Sequence, residues 1–477
     1  MSLRCVTRSS RAQHITPSLS STELARQLKA AGRLEEAADC YRRATTERPN
    51  SAVAEHNLAA LLGDMDDHAG AADACRRAFA KGGDAAETWL VYARALQGAG
   101  ALDEAEAAYA AATARRADYA PAHRDLAQLR WMRTGSAALA LRAIDEALAA
   151  GAGPPLVAVK ATVLLAAGEE ASSGRLLESA VAAAPGDLTL RLMAANAQAR
   201  AGDAPRQLAH ATAASQLDPT SLPAAKAMVD ALLHAGRAAE AAALAERIAA
   251  AVPDDQGVIA QLATAWRLLN DPRAAALCDD PALVSVHSIA PPDGWPTVER
   301  FLDDLGDALR AQHRWHTHPL GQSIRHGSQT QQDLARSDVP VLRALFAALD
   351  APIRAHIAAL GPGSDPVRRR IGRGYRIAGA WSVQLRPGGF HTDHVHPEGW
   401  LSSAFYVALP GAVTRRPEGW LALGRPGIPT RPALGATRHV APHPGQLVLF
   451  PSYLWHGTEP FTGDAPRLTV AFDVLPT

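Results

Sequence analysis

A spacing of 34 residues recurs through the first half of the chain and constrains its fold more than any other feature. Gly168, Gly202 and Gly236 keep this interval, and so do Pro185, Pro219 and Pro253. Ala37, Ala71 and Ala105 keep it earlier, with Ala44, Ala78 and Ala112 and the larger Tyr41, Cys75 and Tyr109. Gly32 and Gly100 stand two periods apart, and Gly135 to Ala140 repeats the pattern with a one-residue slip. A unit this short cannot bury a core alone, so it must stack on its neighbours. Glycine turns the chain after a first helix, alanine lets two helices approach closely, and proline ends the second helix. About seven units fit between Ser20 and Pro253, with a terminal helix expected near Gln256–Leu269.

Segments such as GRLEEAADCYRRATTERPN and GALDEAEAAYAAATARRAD resemble the second helix of the tetratricopeptide repeat. That resemblance implies an α-solenoid over residues 20–280, whose superhelix presents a concave groove to a protein or peptide partner. The plain alternative for such an array is a spacer or a dimerisation arm.

Lys plus Arg and Asp plus Glu each number 48, so the formal net charge is zero. The balance gives no reason to expect nucleic acid or an anionic membrane as partner, and no run of about 18 apolar residues appears. Residues 1–19 carry Arg4, Arg8 and Arg11 without an apolar stretch behind them, which reads as a disordered lead-in rather than a secretory signal. Cys5, Cys40, Cys75 and Cys278 follow no CxxC spacing. A reducing, cytoplasmic location is the simplest expectation.

From about Leu283 alanine thins out and Pro, Gly, His and Trp rise. Val298–Arg314 and Pro340–Leu360 keep a helical pattern. Trp381–Leu385, Leu401–Leu409, Gln446–Phe450 and Arg467–Val474 alternate like strands between Pro- and Gly-rich turns. Pro410–Pro444 reads as a long turn-rich stretch with short strands around Trp420–Leu423. The expected whole is an α+β multidomain chain: the solenoid, then over residues 283–477 a double-stranded β-helix (jelly-roll) barrel with flanking helices.

The chemistry concentrates in Phe390-His391-Thr392-Asp393-His394-Val395-His396-Pro397 and, 60 residues after His396, in Trp455-His456-Gly457. Alternate residues of a strand share a face. His394 with His396 forms one candidate metal pair and His391 with Asp393 another, pointing in opposite directions, with His456 as the distant third ligand for either. Generic spacing favours His391 and Asp393, because two histidines and a carboxylate make the facial triad of non-haem iron sites. Arg467 and Thr469 share one face of the last strand, where a guanidinium and a hydroxyl can hold a carboxylate. Gln384, Ser402 and Tyr406 are further candidates for lining the same cavity, on strand alternation alone. No Gly-rich phosphate loop or GxSxG elbow is present.

The stretches GGFHTDHVHPEGWLSSAFYVALP, GQLVLFPSYLWHGTEPF and RLTVAFDVLP, with HPLGQSIRHGSQT upstream, resemble the 2-oxoglutarate-Fe(II) oxygenases found fused to tetratricopeptide repeats in bacteria. The resemblance covers roughly Val298–Pro476. It implies Fe(II) held by His394, His396 and His456, and 2-oxoglutarate as cosubstrate with its far carboxylate on Arg467 and Thr469. It also implies oxidative decarboxylation to succinate coupled to hydroxylation of a C–H bond. A second histidine stands where most of the wider superfamily has a carboxylate, so the set is neutral, and Asp393 is then a candidate acceptor for a ligand imidazole. Two other functions remain open: a three-histidine, cupin-like dioxygenase that needs no oxo-acid, and a repeat scaffold without catalysis.

Overall fold

The computed structural model describes residues 19–477; the expected lead-in lies almost wholly outside them. Two compact units emerge, residues 19–122 and His123–Thr477. In the first, helix pairs Ser21–Ala30 with Leu34–Glu47, Ala52–Asp64 with His68–Ala80, and Ala86–Gly98 with Leu102–Arg115 follow the 34-residue period. Ala37, Ala71 and Ala105 are fully buried, with Tyr41, Cys75 and Tyr109 beside them. Gly32 and Gly100 turn their pairs with φ of 75° and 82°, and the missing middle member is Asp66, a non-glycine residue at φ 61°. Aspartate tolerates that left-handed conformation better than most side chains.

The second unit continues the pattern, with the pairs Pro154–Ala166/Glu170–Ala183, Leu188–Arg200/Ala204–Leu217 and Leu222–His234/Ala238–Ala251. Pro185, Pro219 and Pro253 each stand two residues beyond the end of a second helix. The single helix Gln256–Leu269 follows, capped by the Asp255 carboxylate on the Val258 N–H.

The rest of this unit is one nine-stranded antiparallel sheet curled on itself: β1 Ser285–Ser288, β2 Ile324–Gln329, β3 Tyr375–His394, β4 Leu401–Ala408, β5 Leu421–Leu423, β6 Arg438–Val440, β7 Gln446–Pro451, β8 His456–Thr458 and β9 Arg467–Pro476. The long β3 belongs to both halves of the curl. Its residues 375–385 pair with β9, which continues through β4 and β7 to β1, whereas His391 and His394 pair with β8, which continues through β5 to β6. This order is compatible with a jelly roll. The stretch before the barrel, which carries the motif HPLGQSIRHGSQT, supplies the edge strand β2 against β3.

One side of the sheet is covered by the helices Val298–Arg310 and Pro340–Leu360. The first ends four residues short of its sequence-predicted limit. Its Phe301, Leu302, Leu305 and Leu309 recur at helical spacing and are buried against Leu342, Leu345 and the outer face of β9, namely Leu468, Val470, Phe472 and Val474. Burying each such side chain contributes roughly 1.5–3 kcal/mol. Ile259 and Ala263 of the helix Gln256–Leu269 belong to the same core. No helix among the described residues is long and apolar enough to cross a membrane.

Candidate metal centre

The inner face of the curl follows from register. Arg467, Thr469, Ala471 and Asp473 of β9 lie opposite Leu385, Val383, Trp381 and Gly379 of β3, and Thr469 and Asp473 also lie opposite Tyr406 and Ser402 of β4. Directly paired residues share a face, and Gly379, Trp381, Val383, Arg467, Thr469, Ala471 and Asp473 line one cavity of about 860 Å³.

His394, at the end of β3, lies directly opposite His456, which opens β8. Their ring centroids are 4.2 Å apart, and that of His396, just beyond β3, lies 5.2 Å from His394 and 5.1 Å from His456. One potential ligand atom from each ring lies within 4.8 Å of the others, which makes this trio a metal-competent cluster among the described residues.

The outer nitrogen of every ring is already committed. His394 Nδ1 is 2.9 Å from the Thr392 carbonyl and His456 Nδ1 is 2.9 Å from the Leu454 carbonyl. His396 Nδ1 sits 2.6 and 2.8 Å from the two carboxylate oxygens of Asp473. An acceptor at Nδ1 fixes the proton there and leaves Nε2 with its lone pair free for a cation. Burial, reinforced by the neighbouring imidazoles, lowers the His394 pKa to about 4 and holds His456 well below its ordinary value. Neutral imidazoles are the form that binds a metal. Neutral nitrogen donors converging with fixed tautomers fit Fe(II), and equally the other imidazole-seeking ions.

The two pairs expected from strand alternation do not separate as such. Three steps along β3, from His391 to His394, face two along β8, from Thr458 to His456. This bulge re-aims the strand, so the rings of His391 and His394 stack on the same side, 6.0 Å apart. The Ser323 hydroxyl lies 3.0 Å from His391 Nδ1 and 3.4 Å from His394 Nε2. Asp393 turns elsewhere. Its Oδ2 accepts from Arg425 Nε at 2.5 Å, and Arg425 Nη1 donates on to Glu459 at 2.8 Å. Asp393 Oδ1 is buried without a partner, and burial raises the carboxyl pKa despite Arg425. His391 and Asp393 therefore do not converge, and the carboxylate that holds a ligand-type imidazole is Asp473 rather than Asp393. Asp473 was legible in principle, since it continues the alternation of Arg467 and Thr469.

Arg467 is almost fully buried and its Nε has no hydrogen-bond partner. Its guanidinium carbon lies 5.2 Å from the Tyr406 ring centroid, and the buried Tyr406 hydroxyl faces that guanidinium. Burial pulls the Arg467 pKa down from its ordinary range, yet a guanidinium stays charged in any protein environment. A buried cation whose Nε–H has no partner, beside a phenol, is a cradle for an anion. Thr469 shares this face, its hydroxyl 3.4 Å from the Val383 carbonyl. Gln384 does not join them. It pairs with Leu468, so it belongs to the opposite, helix-covered face. Of the three tryptophans near the histidines, Trp381 lines the cavity, 5.9 Å from the His396 ring. Trp400 is fully buried and donates to the Val367 carbonyl, and Trp455 donates to Thr264 Oγ1 at 3.0 Å.

A curled antiparallel barrel with three inward histidines and a buried arginine is compatible with the class of non-haem metal oxygenases. Residues 379–473, from within β3 to Asp473, match the family described as "Putative 2OG-Fe(II) oxygenase". An array of tetratricopeptide type thus precedes a barrel whose residues 379–473 are similar to that family, and this likeness supports an oxygenase activity for the barrel. The family implies Fe(II) and 2-oxoglutarate. Similar solved structures include a tetratricopeptide repeat protein from Parabacteroides merdae, 14% identical over 51% of this chain and 97% of that one with a TM-score of 0.36. Another is a Pseudomonas putida prolyl-4-hydroxylase, 19% identical over 43% and 98% with a TM-score of 0.30. No curated protein matches the chain.

Proposed function

We propose that the chain is a 2-oxoglutarate- and Fe(II)-dependent dioxygenase that hydroxylates a protein or peptide engaged by its repeat array. His394, His396 and His456 hold the iron, Asp473 orients His396, and Arg467 with Thr469 and Tyr406 binds the far carboxylate of the cosubstrate. The observation that carries this reading is the convergence of one ligand atom from each of the three rings within 4.8 Å, with each Nδ1 held by its own acceptor. Iron bound there with 2-oxoglutarate and dioxygen supplies the oxidation, giving succinate, carbon dioxide and a hydroxylated C–H position. The chain's own residues set the conditions. Arg467 fixes the orientation of the oxo-acid by a forked contact, and Trp381 and Phe450 keep one wall of the cavity apolar.

The neutral three-histidine set keeps a second reading in view, a dioxygenase that needs no oxo-acid. Arg467 separates the two. Incubation in air with Fe(II), ascorbate and 2-oxoglutarate is expected to yield succinate from the wild-type chain. Arg467→Ala is expected to weaken oxo-acid binding by about 2–5 kcal/mol while metal binding persists. Absence of both succinate and bound 2-oxoglutarate with the wild-type protein removes the first reading, and unchanged oxo-acid affinity in Arg467→Ala removes the role given to that residue.

A further inference from the structure

The cavity around the histidines abuts a second compartment of about 850 Å³. One wall of this compartment comes from the helices Leu188–Arg200 and Leu222–His234 of the array. The other comes from the barrel segment 425–429 and the end of β3. Arg200, His391, Thr392, Asp393 and Thr458 line both compartments, so the two are immediate neighbours. Either alone is the size of an ordinary small-ligand pocket, roughly 300–1,000 Å³. The histidine compartment already has room for an oxo-acid and a side chain, which leaves the second for a further part of a larger substrate.

The charges in that second room decide what fits it. Lys226 pairs with both oxygens of Asp255 at 2.9 and 3.0 Å. Arg425 is held by Asp393 and Glu459. Arg200 faces Glu170 at 3.8 Å and donates to Asn196 at 3.1 Å. Asp230 differs. It accepts one hydrogen bond from the Gln261 amide at 2.6 Å and has no cation within ion-pair distance among the described residues. Burial raises its carboxyl to about 7, against the pull of Lys226. Each lining cation therefore has a carboxylate, and Asp230 is the carboxyl left with a neutral amide. A cation brought beside it restores the ionised form and gains a charge-assisted hydrogen bond, whereas an incoming anion meets only like charge and committed cations.

We propose that this second compartment is the subsite for a lysine or arginine side chain of a polypeptide substrate, with Asp230 as its carboxylate partner. The repeat helices are then a wall of the active-site space rather than a remote recruiting surface. The inference rests on the reading of the chain as an oxygenase of proteins or peptides, and it names what that substrate carries.

The test uses the full chain and three pools of short fluorescein-labelled Gly/Ser/Ala peptides that differ only in one central residue: lysine, norleucine or glutamate. Fluorescence anisotropy is expected to rank lysine above norleucine by about tenfold, roughly one well-made charged contact, with glutamate weakest. Asp230→Asn is expected to erase the lysine preference. Asp230→Glu, which keeps the charge, is expected to retain most of it, and thermal unfolding of each variant checks that the helix stays folded. Equal affinities for the three pools, no binding of any pool, or a preference that survives Asp230→Asn in a folded protein overturns the proposal. A lysine preference with neither succinate production nor bound 2-oxoglutarate leaves the subsite standing and removes the oxygenase reading; succinate production without the preference does the reverse.

Discussion

At the scale of single residues, the centre depends on what stands behind each imidazole. Two histidines lean on backbone carbonyls of their own chain neighbours, Thr392 and Leu454, and only His396 leans on a side chain, Asp473. Asp473 is itself held by the Ser402 hydroxyl at 3.0 Å, which in turn meets Ser452 at 2.9 Å. Asp473→Ala is therefore expected to lower metal affinity by about 10- to 100-fold without removing a ligand, a change that competition against a chelating dye measures. Affinity unchanged within experimental error contradicts this role. The histidines and Arg467 were legible in the sequence because their residue types are rare in a strand and their order along the chain is informative. The placement of Gln384 depends on which residue lies opposite it in β9, Leu468. That register is a tertiary property, and it sends Gln384 to the far face.

At the scale of elements, the informative departure is the bulge between His391 and His394. Strict alternation over residues 391–396 places these side chains in two opposed sets. One extra residue against β8 brings His391 and His394 to the same side. β5 falls where the sequence suggests a short strand, around Trp420–Leu423, but β6 and β8, also three residues each, carry too little periodicity to be read from sequence, whereas the helix pairs repeat often enough to be read almost residue by residue. The bulge leaves little room beneath it. A Cβ at Gly457 would lie 2.6 Å from Asp393 Oδ1 and 2.8 Å from the His391 carbonyl. Gly457→Ala is expected to shift β8 and cost about 1–3 kcal/mol of stability, with weakened metal binding because His456 is the adjacent residue. Chemical denaturation and metal titration of this variant check both effects, and wild-type values in both would show that the strand pair yields more freely than its contacts suggest.

Across the whole His123–Thr477 unit, the repeat helices and the barrel share both core and cavity. Ile259 and Ala263 pack with the sheet, Trp455 donates to Thr264, and the Gln256 N–H donates to the carbonyl of Pro397, the residue after His396, at 3.0 Å. Composition shifts sharply near Leu283, so the sequence suggests a clean change of domain there. It carries no trace of the contacts that cross that point, because these depend on how the chain folds back. Burial also makes this unit acid-sensitive. His313, His318 and His356 each have a pKa lowered to about 4 by desolvation, against about 6.5 in an unfolded chain. Between those values the unfolded state binds more protons than the folded one, so stability present above pH ~6.5 is lost as pH falls toward 4. Each site contributes at most roughly 3 kcal/mol to that loss. His356→Gln is expected to make the fall in unfolding free energy between pH 6.5 and 4 shallower, and an unchanged slope contradicts the assignment.

The central claim is that His394, His396 and His456, and not His391 with Asp393, hold one metal ion. Anaerobic equilibrium dialysis against Fe(II), run on the wild-type chain and on the single alanine variants of these five residues, tests it most directly. The account predicts one iron per chain in the wild type. It predicts loss of that iron in the variants of His394, His396 and His456, and retention in His391→Ala and Asp393→Ala. Loss of iron on replacing Asp393 or His391, with retention on replacing His396, would contradict it.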